Sequence, residues 1–147
     1  MIRGESSITI AAPTDAVWAV LSDFEGYTGW HPFFASVAAH ERDAGGRVTA
    51  ARCTHGTPVG PLTTELEVRY DDMSEVEARR VGGDMNAMSG VFALVTGDGG
   101  VRVTHTLLVD PGFRLGLLLR GPVEERVRRS VLNGALSGLE LAVAAGS

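Results

Sequence analysis

The chain contains no lysine; all 13 of its basic side chains are arginine, so chemistry through a lysine Schiff base is excluded. Cys53 is the single cysteine, which removes a disulfide framework and any cysteine-based zinc site. Long apolar runs are missing too. Phe113–Leu119 is apolar but short and interrupted by Arg114, well under the roughly 18 residues a membrane helix needs. No apolar stretch of signal-peptide length follows Arg3, so a cytoplasmic location is expected. Positive charge is not in excess: the net charge is −5, which argues against nucleic acid or an anionic membrane as partner. The clusters Arg79–Arg80 and Arg126–Arg129 have acidic neighbours and read as solvated faces. The four histidines and the acids show no metal-ligand spacing, so neither a metal nor a cofactor is expected.

What is present is an ordinary globular composition, 147 residues of which 44% are hydrophobic, enough for one domain spanning residues 1–147. Ser7–Ile10 alternates as a short strand and Pro13 ends it. Thr14 and Asp15 offer N-cap chemistry to a helix carrying Val17, Trp18, Val20 and Leu21. The aromatic, glycine-containing stretch from Glu25 to Phe34 fits a second short helical turn. Hairpin punctuation follows. Strands are expected at Val37–Arg42, Arg47–Cys53, Thr64–Tyr70, Val76–Val81, Met88–Val95 and Val101–Val109, with Thr54–Pro61 a loop and Gly97-Asp98-Gly99-Gly100 the clearest turn. After Asp110-Pro111-Gly112 comes a short helix at Phe113–Leu119. A long helix then runs from Val123 to Ala145, with Pro122, Glu124 and Glu125 in or near its first turn. The order is α+β: one strand, two short helices, six strands in an antiparallel meander, one long helix.

Particular residues then become recognisable. Ile8–Phe24 resembles the opening of the SRPBCC (START and pollen-allergen-like) superfamily. Tyr27-x-x-Trp30-His31-Pro32-Phe33 is similar to its Tyr-x-x-Trp-Asn-Pro-Phe motif, with His31 replacing the usual Asn. Gly100-Val101-Arg102-Val103-Thr104-His105 resembles the run that enters its last strand. Within that superfamily the nearest look is to the polyketide cyclase/dehydrase group. The resemblance implies a helix-grip fold, in which about seven curved antiparallel strands wrap the C-terminal helix around a ligand cavity. Arg69 falls where the aromatase/cyclases carry an arginine, but Glu65 stands where they carry tryptophan.

Strand parity sorts the candidates for that cavity. Leu66, Val68 and Tyr70 share one face of their strand, and Glu65, Glu67 and Arg69 the other. Parity thus points Tyr70 inward and Arg69 to water; a bulge before Asp71 would turn Arg69 in to bind an oxyanion. Arg80 shares a face with Val76 and Ala78, and His105 with Val103 and Leu107. His31, near the expected cavity mouth, and His105 are the acid/base candidates, each set against a purely structural role. His40 and His55 have no partners at ligand spacing. Trp30, Phe33 and Phe92 fit either core or cavity wall. On the long helix, Ser130, Gly134 and Ser137 lie on one stripe. That stripe serves either close packing or room for a ligand with hydroxyl handles. The expected function is binding of an apolar small molecule, with cofactor-free cyclase/dehydratase activity in bacterial secondary metabolism. The alternative is a non-catalytic carrier of a hydrophobic ligand such as a quinone or lipid. A third reading is an accessory module that partners a larger enzyme, and a homodimer is also left open.

Overall fold

The computed structural model describes residues 2–57, 60–112 and 121–146. Its elements are β1 (Ile2–Ile10), α1 (Thr14–Leu21), a 3-10 segment (Phe24–Gly29), β2 (Phe34–Arg42), β3 (Val48–His55) and β4 (Leu62–Asp71). They continue with β5 (Glu75–Gly83), β6 (Ala87–Gly97), β7 (Gly100–Asp110) and the long helix α2 (Pro122–Ala145). The helix expected at Phe113–Leu119 lies outside the described residues.

Seven strands form one antiparallel sheet in the order β1-β7-β6-β5-β4-β3-β2. The chain crosses from one edge to the other through α1 and the 3-10 segment, then returns strand by strand. β1 begins five residues before its apolar alternation, because Ile2 to Ile10 all pair with β7, from Ile2↔Val109 to Ile10↔Val101. At the tight end of that pairing Gly100 has φ 140°. A Cβ there would stand 2.0 Å from the Ile10 carbonyl oxygen, so only glycine closes this turn. β3 runs on through His55, where a loop was expected, because Leu62 pairs with His55 across β4.

α1 is capped differently from expectation. Pro13 occupies the N-cap with φ −65° and no side-chain cap bond forms. The Thr14 hydroxyl instead meets that of Thr96 at 2.6 Å, fastening α1 to the end of β6.

α2 lies across the concave face and buries Val131, Leu132, Ala135, Leu136, Leu139 and Val143. It crosses β1 at Gly4, where a Cβ would come within 2.6 Å of Leu132 Cδ1. Its own glycines serve the same purpose. A Cβ on Gly138 would stand 2.1 Å from the Trp30 carbonyl oxygen, and one on Gly134 3.1 Å from Pro32 Cγ. Each glycine costs roughly 1 kcal/mol of helix propensity against alanine. What it provides here is close seating of α2 on the segment from Trp30 to Pro32.

Candidate functional site

The core holds three fully enclosed histidines, His31, His55 and His105, gathered around one aromatic cluster. Sheet register places two inner-face rows side by side. One row is Val76, Phe92 and His105, and the next is Ala78, Gly90 and Leu107. Above these rows sit Tyr27 of the 3-10 segment, His31 and Phe33 of the connection after it, and Phe34 at the start of β2. Together with Met88 they enclose an apolar cavity of about 20 Å³, room for roughly one water. A second cavity of about 20 Å³ lies toward α2, lined by residues that include Ile2, Leu62, Met85, Val109 and Val131. Phe33 and Leu107 line both and separate them.

The histidine rings are ordered by their neighbours. His105 stacks on Phe92 with centroids 4.1 Å apart and planes 7° from parallel. His31 stands edge-on to His105 at 5.5 Å. The Phe33 N–H donates to His31 Nδ1 at 3.2 Å, so the neutral His31 ring carries its proton on Nε2. At His55 the assignment is reversed. Its Nδ1 lies 3.1 Å from the Phe33 carbonyl, which only accepts, so Nδ1 holds the proton and Nε2 accepts from the Thr64 hydroxyl at 2.6 Å. Nδ1 of His105 makes no well-formed hydrogen bond. Burial pushes His55 and His105 down to about 4, opposed at His55 by the Phe33 backbone and at His105 by that of Leu132. His31 is lowered well below its ordinary value, first by burial and then by His105 and His55. All three rings are therefore neutral near pH 7, which is how an apolar interior holds imidazoles.

Of the sequence candidates, His31, Phe33, Phe92 and His105 line the first cavity. Trp30 packs behind its wall, against Tyr27 at 4.7 Å and Phe92 at 5.7 Å. The others lie elsewhere. Arg69 is exposed and pairs with Glu67 at 2.8 Å. The one register shift between β4 and β5 falls at Glu65/Leu66, not before Asp71, so parity keeps Arg69 outside. Arg80 starts from the inner face, but its guanidinium caps the β5–β6 turn through the carbonyls of Gly83 at 2.8 Å and Asp84 at 3.1 Å. Tyr70 is half-buried and its hydroxyl donates to the Val48 carbonyl at 2.6 Å, while Arg47 covers its ring at 4.6 Å. Ser130 and Ser137 are exposed and border an open groove along α2 that Gly134 also lines, Gly134 being the one of the three that seats against Pro32. They do not face the cavities, because the wider apolar stripe of the helix takes the sheet side.

Two participants escaped the sequence reading. His55 falls in a stretch whose glycines and prolines read as a loop, and Gly90 is an isolated glycine inside a strand, a signal of a bulge or a close approach. Among the described residues no group of three histidines, cysteines or acids is arranged to hold a metal. Nor is any helix long and apolar enough to cross a membrane.

A seven-stranded antiparallel sheet crossed by one long C-terminal helix, with two short helices after the first strand, is the helix-grip arrangement of the SRPBCC superfamily. The chain belongs to the family described as polyketide cyclase / dehydrase and lipid transport, which it matches over residues 1–140. That description spans enzymes and carriers alike. No curated protein sequence matches the chain significantly. Among solved structures, a START superfamily protein from Mycobacterium smegmatis superposes with a TM-score of 0.82 at 19% identity, covering 100% of both chains. A Thermus thermophilus protein gives 0.79 at 24% identity, over 99% of this chain and 98% of its own. The Zhui aromatase/cyclase from Streptomyces gives 0.67 at 22% identity, over 98% of this chain and 92% of its own. At these identities the likeness concerns the fold.

Proposed function

We propose that the protein takes up an apolar, oxygen-bearing small molecule of the polyketide kind in the pocket beneath Tyr27–Phe34, and acts on it as a cyclase/dehydratase in the cytoplasm. The observation that carries this reading is the pair of neutral, enclosed imidazoles, His31 and His105, meeting at 5.5 Å on the wall of an otherwise apolar cavity. Two cavities of about 20 Å³ do not hold such a molecule. Uptake requires Phe33 to swing and join them.

In a dehydration, the unprotonated nitrogen of His105 takes the proton from the carbon beside a ligand carbonyl. It then passes that proton to the departing hydroxyl, so the C–O bond breaks, a C=C bond forms and water leaves. His31 donates from Nε2 to the carbonyl oxygen while it carries negative charge. The walls supply the remainder by holding a flexible chain in a reactive conformation.

A non-catalytic carrier is the second reading. It is favoured by the depression of His105 to about 4, since a base works best with a pKa near the operating pH. Calorimetric titration with 2-naphthol and with naphthalene tests the shared part. The hydroxyl is expected to improve affinity about tenfold, the worth of one buried hydrogen bond, and His105→Phe is expected to abolish that difference. Turnover of a β-hydroxy ketone that is lost in His105→Phe supports the enzyme; binding without turnover supports the carrier. Absence of 2-naphthol binding contradicts both.

A further inference from the structure

Gly90 occupies an inner-face position in the middle of β6, between the buried Met88 and Phe92. Glycine within a central strand weakens it, since it loses more chain entropy on folding and packs no side chain. The reasons that justify glycine elsewhere in this sheet do not apply. Gly83 and Gly100 have φ of 90° and 140°, with backbone oxygens 2.5 and 2.0 Å from the place a Cβ would take. Gly90 is not in the left-handed region, and a Cβ on it would meet only His105 Nε2, at 3.9 Å. Its strand neighbours on either side are Ala78 and Leu107, so small residues form a continuous floor from β5 to β6 beside the His105 ring. A bare stretch of peptide next to a neutral imidazole suits the face of a flat ring, whose edge oxygen then reaches His105.

We infer that Gly90 is the specificity-determining residue of the pocket, the position against which the ring of a flat, oxygen-bearing ligand lies. This rests on the reading of the pocket given above. Two variants test it, Gly90→Ala and Gly90→Val, each followed by thermal denaturation and by calorimetric titration with 2-naphthol. Both are expected to fold, Gly90→Ala with a Tm equal to or above that of the parent, because its one methyl group meets nothing nearer than His105 Nε2 at 3.9 Å. Gly90→Val is expected to weaken 2-naphthol binding at least tenfold, and Gly90→Ala by a smaller factor. A Gly90→Ala protein with a clearly lowered Tm overturns the inference, since the glycine then serves the backbone. Gly90→Val that binds within twofold of a binding parent also overturns it, while leaving the pocket reading intact. If the parent itself does not bind 2-naphthol, the pocket reading fails and the role of Gly90 falls with it.

Discussion

Urea denaturation of the protein at pH 4.5 is expected to give a stability lower than at pH 7.5 by at least about 5 kcal/mol, the share of His55 and His105 alone. Each ring is held down to about 4 in the fold, against roughly 6.5 in an unfolded chain. Between those values the unfolded chain binds protons that the folded one refuses, so stability falls as the pH drops through 6.5. The loss from these two rings levels off below 4, where their folded and unfolded forms are both charged. Each ring contributes about 2.5 kcal/mol by pH 4.5, and His31 adds in the same direction. Against a total of roughly 5–15 kcal/mol for a domain, that brings the chain close to acid unfolding. His105→Phe, which preserves the stack on Phe92, is expected to move the acid midpoint downward. Stability that stays level from pH 7.5 to pH 5 contradicts the burial of neutral imidazoles.

Phe33→Ala is the substitution expected to cost most, about 3–5 kcal/mol by denaturant titration. The ring is buried, stacks on His55 with centroids 4.4 Å apart, and is common to both cavities. Removing it joins them into a void on the order of the 150 Å³ that admits benzene in other protein cores. Benzene is therefore expected to raise the Tm of the Phe33→Ala protein more than that of the parent, by binding only the folded form. A loss below about 1 kcal/mol, smaller than even a mild core truncation, contradicts the placement of Phe33. So does a benzene response no larger than the parent's.

How much of this was legible in the sequence depends on the kind of signal each residue gives. The last strand was fully legible: Val101, Val103, His105, Leu107 and Val109 alternate strictly, and all five are buried. His31 was placed by its motif, in the segment that roofs the pocket. Arg69 and Arg80 show where parity stops. It gives the face from which a side chain starts, but an arginine is long enough to curl onto a turn, as Arg80 does onto Gly83 and Asp84. Tyr70 began on the correct face too, yet its hydroxyl found the Val48 carbonyl nearer than any cavity. The α2 stripe left close packing and room for a ligand both open, and Gly134 takes the first, against Pro32. Helical spacing shows that Ser130, Gly134 and Ser137 share a face, not which partner that face meets. The competing stripe from Val131 to Val143 removes far more apolar surface from water, and so it takes the sheet. His55 was missed because its partners, Phe33 and Thr64, are 22 and 9 residues away. Only the β3–β4 pairing brings Thr64 across to it.

The central claim is that His31 and His105 are neutral imidazoles that meet a ligand inside the fold. Long-range ¹H–¹⁵N correlation of the histidine rings at pH 7, recorded during titration with 2-naphthol, tests this most directly. Neutral rings are expected at His31, His55 and His105, with the proton on Nε2 of His31 and on Nδ1 of His55. 2-Naphthol is expected to shift the ring nitrogens of His31 and His105 and to leave those of the exposed His40 in place. A charged His105 at pH 7, or rings of His31 and His105 that do not respond while 2-naphthol binds, would contradict it.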